Sequence, residues 1–151
     1  MPAQNPNIVF PLLNPYLIIM INVAVGLIIR NRTEILLCQR KPHLPYPLKW
    51  EFPGGKMMSG ENAEECLRRE LVEELNITAI IDRLYHRGQY IYPDSGTFDV
   101  SYFLVSSFSG SIVNNIFEQL RWVPINHLPS YDILQGNADT VRMLLSDYGA
   151  A

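Results

Sequence analysis

The sequence predicts an α/β protein in which a mixed β-sheet is held between helices. Two observations predict it. Strand-like apolar segments lie on both sides of one strong helix pattern in mid-chain, and a second helix pattern closes the chain. Strands divided by a helix in this way bury their apolar faces best as one mixed sheet covered by helices. No internal repeat, low-complexity tract or charged tail breaks the reading, so the 151 residues are expected to form a single domain over 1–151.

The elements follow in order. Residues 1–15 carry four prolines and three asparagines and read as an extended N-terminal arm, suited to covering a dimer surface or an edge strand. A strand is expected at 17–30, where Ile21, Val23, Val25, Leu27 and Ile29 alternate with Asn22, Ala24, Gly26, Ile28 and Arg30. That alternation suits a strand buried on one face and crowded on the other. After a turn at Asn31 to Thr33, a second strand is expected at 34–41. A loop with His43 and Tyr46 leads to a short strand at 48–52 and a turn at Pro53-Gly54-Gly55. The central helix is expected at 63–75. Asn62 is a good N-cap, and Glu65 three residues on completes a capping box. Leu67, Leu71 and Leu75 form the stripe that docks it. Strands at 77–92 and 97–108 are joined by the turn Pro93-Asp94-Ser95-Gly96, and another strand covers 119–124. A helix at 137–146 packs through Val141, Leu144 and Leu145.

Composition bounds the function classes. Apolar content of 48% and charged content of 18% mark a globular chain. A net charge of −3 argues against a protein that grips a nucleic-acid polymer, but leaves room for a single nucleotide whose charge is met locally. Tyr16 to Ile29 is apolar but too short to span a bilayer, and no basic segment precedes it, so no membrane partner is expected. Cys38 and Cys66 have neither metal-ligand spacing nor a disulfide framework. They read as small buried residues, consistent with a reducing cytoplasm. His43, His86 and His127 are scattered with no ligand spacing, and Trp50 and Trp122 read as core.

The segment 54–77, GGKMMSGENAEECLRRELVEELNI, carries the chemistry. Glu70, Glu73 and Glu74 fall at i, i+3 and i+4, on one face of a helix. Like charges so close weaken a free helix. A divalent cation makes such a face favourable, and convergent carboxylates beside a backbone carbonyl of Gly54 or Gly55 suit Mg²⁺ or Mn²⁺.

The spacing runs Gly55, five residues, Glu61, seven residues, then Arg69, Glu70, Leu71, Val72, Glu73, Glu74, Leu75, Asn76 and Ile77. It resembles the Nudix box, Gly-x5-Glu-x7-Arg-Glu-apolar-x-Glu-Glu-x-Gly-apolar. One position departs: Asn76 stands where the family has glycine. The position is a helix end that turns left-handed, where asparagine is the usual substitute. Val23 to Asn31, Glu34 to Arg40, Trp50 to Lys56 and Leu120 to Pro124 resemble further segments of MutT-type members, so the likeness covers roughly 20–146.

This resemblance implies an α/β/α sandwich and hydrolysis of a nucleoside diphosphate linked to another group. It implies a metal cluster of Glu70, Glu73 and Glu74 with Gly54 or Gly55. Glu70 is implied as general base oriented by Arg69, with Glu61 supporting the cluster. In some members the base is a later loop acid, for which Glu118 is the candidate. Arg40 takes the family's phosphate-contacting position, with a plain surface charge as its alternative, and Lys56 either faces the same phosphates or is solvated. Asn137 matches the asparagine that reads the purine edge. A carboxamide offers both donor and acceptor to a base, and asparagine also favours a helix N-cap. Tyr90, Tyr92, Asp94 and Phe98 lie on the hairpin that can overhang a base, although strands favour aromatics anyway. The leading expectation is a MutT-like enzyme acting on 8-oxo-dGTP or a related (d)NTP in nucleotide-pool sanitation. ADP-ribose or a dinucleoside polyphosphate is the alternative substrate, and a non-catalytic nucleotide-binding module the alternative class.

Overall fold

The computed structural model describes residues 19–150, so the arm expected at 1–15 lies outside the described residues. Seven strands form one mixed sheet. They are β1 (Met20–Arg30), β2 (Glu34–Gln39), β3 (Trp50–Glu51), β4 (Gly54–Lys56), β5 (Thr78–Tyr92), β6 (Gly96–Ser109) and β7 (Gln119–Pro124). The helices are α1 (Ala63–Leu75) and α2 (Ala138–Tyr148), with 3-10 turns at Ile125–Ser130 and Gln135–Asn137. The sheet path is β3-β2-β1-β6-β5, with β4 added to β1 and β7 to β2. β1 and β6 run parallel from Met20↔Thr97 to Ile28↔Val105, and the other pairings are antiparallel. This is the expected mixed sheet between helices.

β1 forks the sheet. Its first half pairs with β4, from Val23↔Lys56 to Val25↔Gly54, and its end pairs with β2 through Ile29↔Ile35. The strand is buried on both faces from Ala24 to Ile29, not on one. Val25, Leu27 and Ile29 join the core under α2, with Leu144 and Leu128. Ala24 and Ile28 join the core under α1, with Leu67, Leu71 and Leu75. Period-two alternation thus feeds two cores, because helices cover both sides.

α1 runs over the expected residues. The Asn62 side chain accepts the Glu65 N–H at 2.9 Å, and Glu65 accepts the Asn62 N–H at 2.9 Å. Its C-cap is Asn76, left-handed at φ 57°. Leu67, Leu71 and Leu75 are fully buried, each contributing roughly 1.5–3 kcal/mol by burial.

Several expectations are corrected. Gly54–Lys56 is a strand rather than part of a turn, because the extended glycines lie against β1. The expected strand at 48–52 is only Trp50–Glu51. The last helix starts one residue late and runs to Tyr148 after a 3-10 turn. Trp122 is half-buried, with the Arg30 guanidinium 4.2 Å over its ring, instead of lying wholly in the core.

Candidate active site

The loop between β4 and α1 folds back on the helix through Arg69. Its guanidinium donates to both oxygens of Glu61, with Nη2 3.0 Å from Oε2, and to the Lys56 carbonyl at 3.2 Å. It also donates to Glu70 Oε1 at 2.9 Å and to Glu73 at 3.3 Å. Glu61 additionally accepts the Met58 N–H at 2.8 Å. The Arg69 and Met58 donors draw the Glu61 carboxyl down to about 2. One arginine therefore clips the loop, the helix and three acids together.

The acids do not all face one way. Glu70 and Glu74, one turn apart, point toward the β4 backbone. Glu73 is turned out, its side chain 57% exposed and held, among the described residues, by Arg69 alone. Among the described residues no three acids, histidines or cysteines converge closely enough to hold an ion as placed. The expected three-carboxylate face is thus two carboxylates and a swung-out third.

Glu74 is the anomalous group. It is 6% exposed, accepts the Gly54 N–H at 3.2 Å and has no cation beside it among the described residues. Burial, and then the neighbouring Glu70 charge, push its carboxyl up to about 9. Gly55 lies flat on Glu70. A Cβ there would stand 2.4 Å from the carboxyl carbon and 2.5 Å from Oε1. The Gly55 carbonyl accepts a weak bond from the Cys66 thiol at 3.5 Å. A buried acid packed on glycine backbone beside a second carboxylate, as Glu74 is, fits a hard divalent cation with oxygen ligands.

Glu74, Gly54 and Gly55 line a cavity of about 420 Å³, whereas Glu61, Arg69, Glu70 and Glu73 lie outside its lining. Their end of the cavity is also lined by the cations Arg40, Lys41 and Lys56. The other end is lined by Tyr46, Tyr92, Phe98, Tyr102, Gly136 and Asn137. Tyr92 packs edge-on against Tyr46 at 5.3 Å and Phe98 at 5.5 Å, and its hydroxyl accepts the Gly136 N–H at 2.8 Å. Tyr102 donates to Asn137 Oδ1 at 2.7 Å.

Other expected site residues fall as follows. Arg40 lines the cavity, but its guanidinium holds Glu51 at 3.1 Å and the Pro45 carbonyl at 2.9 Å, so it also ties down the 41–49 loop. Burial keeps the Glu51 carboxyl above its usual range despite that pairing. Lys56 is exposed at the cavity edge. Asn137 lines the cavity and also stands at the N-cap position of α2, as the alternative had it, although its side chain makes no capping hydrogen bond. Asp94 is exposed at the hairpin tip and Glu118 is exposed against Lys41 at 3.3 Å, and neither lines the cavity. Their loops turn these side chains to solvent. Tyr46, Glu51 and Tyr102 also line the cavity, beyond the residues that the sequence motifs point to. Only the chain passing near the Gly-Gly turn hinted at Tyr46 and Glu51, and nothing in the sequence marked the Tyr102 hydroxyl.

The NUDIX domain model matches residues 20–144. The chain is 33% identical over 127 residues to an 8-oxo-dGTP diphosphatase of Haemophilus influenzae, covering 84% of this chain and 93% of that protein. It is 30% identical to the nucleoside triphosphatase NudI of Klebsiella pneumoniae, over 81% of this chain and 92% of that one. The crystal structure of a MutT NUDIX hydrolase from Burkholderia pseudomallei superposes with a TM-score of 0.75 at 25% identity, covering 82% of this chain and 97% of the other. Box, fold and relatives agree: the chain belongs to the Nudix family and is a MutT-like Nudix hydrolase.

Proposed function

We propose that the protein hydrolyses a nucleoside triphosphate, 8-oxo-dGTP or a related (d)NTP, to the monophosphate and pyrophosphate, with Mg²⁺ as cofactor and Mn²⁺ as a substitute. The observation that carries this is the two-ended cavity. An acid and cation end built on the box faces an aromatic and amide end, which is the layout of a nucleotide with its phosphates and its base. Relatives named for 8-oxo-dGTP and for nucleoside triphosphates support the same class.

When bound, Mg²⁺ neutralises and polarises phosphoryl oxygens. Glu70, Glu73 and Glu74 would hold it, Glu73 after swinging inward from its exposed position. Glu70 takes the proton of the water that adds to phosphorus as the anhydride P–O bond breaks, and Arg69 orients it. Glu61 anchors Arg69. Arg40, Lys41 and Lys56 surround the phosphates, and Tyr46, Tyr92 and Asn137 hold the base. The role would be nucleotide-pool sanitation in the cytoplasm.

The test is a substrate panel read by chromatography of the nucleotide products: triphosphates including 8-oxo-dGTP, alongside ADP-ribose and a dinucleoside polyphosphate, with Mg²⁺ or a chelator. Triphosphate cleavage that the chelator abolishes is expected, falling at least about 100-fold in Glu74→Gln. Full activity in Glu74→Gln would remove the metal assignment. Turnover confined to ADP-ribose or dinucleoside polyphosphate would replace the substrate class.

A further inference from the structure

The last turn of α1 bears Glu73 and Glu74, and the helix does not close that end by itself. At Asn76 the chain turns left-handed, so the Asn76 N–H returns to the Val72 carbonyl at 3.0 Å and the Ile77 N–H to the Leu71 carbonyl at 3.3 Å. The carbonyls of Glu73, Glu74 and Leu75 are left without helical partners. One segment between β6 and β7 takes all three. Asn115 Nδ2 donates to the Glu73 carbonyl at 2.9 Å, the Asn115 N–H to the Glu74 carbonyl at 3.1 Å, and the Val113 N–H to the Leu75 carbonyl at 2.9 Å. No basic residue stands in that turn, so these donors face the negative end of the helix dipole in place of a cation.

The same segment reaches the cavity and the end of β2. Asn114 stiffens it, its side chain accepting the Phe117 N–H at 2.8 Å and donating to the Phe117 carbonyl at 2.9 Å. Ile116 and Phe117 line the cavity, and Phe117 also packs into the core under α1. The Glu118 N–H donates to the Gln39 carbonyl at 2.9 Å, and the Glu118 side chain holds Lys41 at 3.3 Å. Asn115 is exposed, so water can serve the Glu73 carbonyl in its absence. What the segment adds is position. It is a strut from the turn that bears Glu73 and Glu74 to the strand end that bears Arg40 and Lys41.

We propose that Asn115 is a positioning residue for metal binding: through the 113–118 strut it fixes the backbone of Glu73 and Glu74 relative to Arg40 and Lys41, so that a divalent cation and the phosphates it carries are seated together. The assignment rests on the metal and nucleotide reading above and adds to it a residue that touches neither ligand. Glu73 is exposed and must turn inward to reach a cation, which a fixed backbone lets it do by side-chain rotation alone. If the last turn frayed, ordering its backbone would oppose every binding event.

The experiment compares the full-length wild type with Asn115→Ala and Asn115→Asp. Two quantities are read. One is the rise in melting temperature when Mg²⁺ is added to chelator-treated protein holding a non-hydrolysable triphosphate analogue. The other is the Mg²⁺ concentration giving half-maximal turnover of a saturating triphosphate. Asn115→Ala should raise that concentration about tenfold, the usual loss when a group supporting a metal ligand is removed, and should shrink the melting shift. Asn115→Asp sets a carboxylate against the Glu73 carbonyl and should be worse on both measures. A merely structural role would lower the melting temperature equally with and without Mg²⁺ and leave the half-maximal concentration where it was, which would overturn the assignment. Loss of the fold in both variants would overturn it too, because a positioning role leaves a folded protein that binds metal weakly. A wild type whose melting temperature ignores Mg²⁺ and that cleaves no triphosphate would instead remove the metal and nucleotide reading itself.

Discussion

The two ends of the cavity are built differently. The acid end comes from one unbroken stretch, 54–76, in which a glycine strand, a loop and a capped helix are tied by Arg69. The aromatic end is assembled from Tyr46 on a loop, Tyr92 and Phe98 on a hairpin, Tyr102 deep in β6, and Gly136 and Asn137 on a 3-10 turn. A contiguous unit carries its geometry with it wherever it occurs, which suits chemistry that does not change. An assembled wall changes by single substitutions on any of its segments, which suits a choice of substrate.

Matched glycine substitutions at the two ends break this contrast most directly. In Gly55→Ala the new Cβ would meet the Glu70 carboxyl carbon at 2.4 Å. Glu70 must shift, and kcat for pyrophosphate release should fall about 100-fold with KM little changed, since displacing a reacting group by about 1 Å costs that much. Gly136→Ala would drive its Cβ to 2.1 Å from the Tyr92 hydroxyl and separate the Gly136–Tyr92 bond. This end should answer in KM, rising about tenfold with kcat nearly kept, the worth of roughly one hydrogen bond and its packing. Steady-state kinetics of both variants check the division. A kcat collapse in Gly136→Ala would erase it.

The gentlest test changes no residue. Glu74 has its carboxyl raised from 4.5 to about 9, so in the absence of metal the folded protein holds a proton that the unfolded chain has released. Its contribution to stability is complete below about 4.5 and is lost as pH rises toward about 9. Melting midpoints of chelated protein should decline across that window, and Glu74→Gln should flatten the decline. Added Mg²⁺ should flatten it too, because the cation takes the place of the proton. A midpoint independent of pH without metal would mean that Glu74 is not the strained acid of the acid end.

Legibility in the sequence follows the same division. α1 is read to the residue because its signals are neighbours: Asn62 and Glu65 cap it, leucines one turn apart dock it, and Asn76 ends it. β4 was hidden because a glycine pair after proline is turn chemistry. Gly54 is glycine for another reason, its Cβ position lying 2.1 Å from the Ala24 carbonyl. Which way the acids face was also hidden. Helical spacing groups Glu70, Glu73 and Glu74, but the β4 backbone draws only two inward while Arg69 holds the third outside. Arg40 was read toward phosphate, and its Glu51 and Pro45 partners become visible only once β2, β3 and the loop are brought together. The Tyr102–Asn137 bond joins residues 35 positions apart, and a tyrosine in a strand looks the same whether or not its hydroxyl has work.

The sequence by itself determined the mixed α/β fold, the box helix with its caps, and the reaction class, because those depend on short-range spacing that any local turn of chain reproduces. Only the tertiary structure decided which acids meet, what Arg40 holds and that Tyr102 bonds the Asn137 side chain. Those depend on distances between segments remote in the chain, and burial and hydrogen bonding set them only when the sheet has closed.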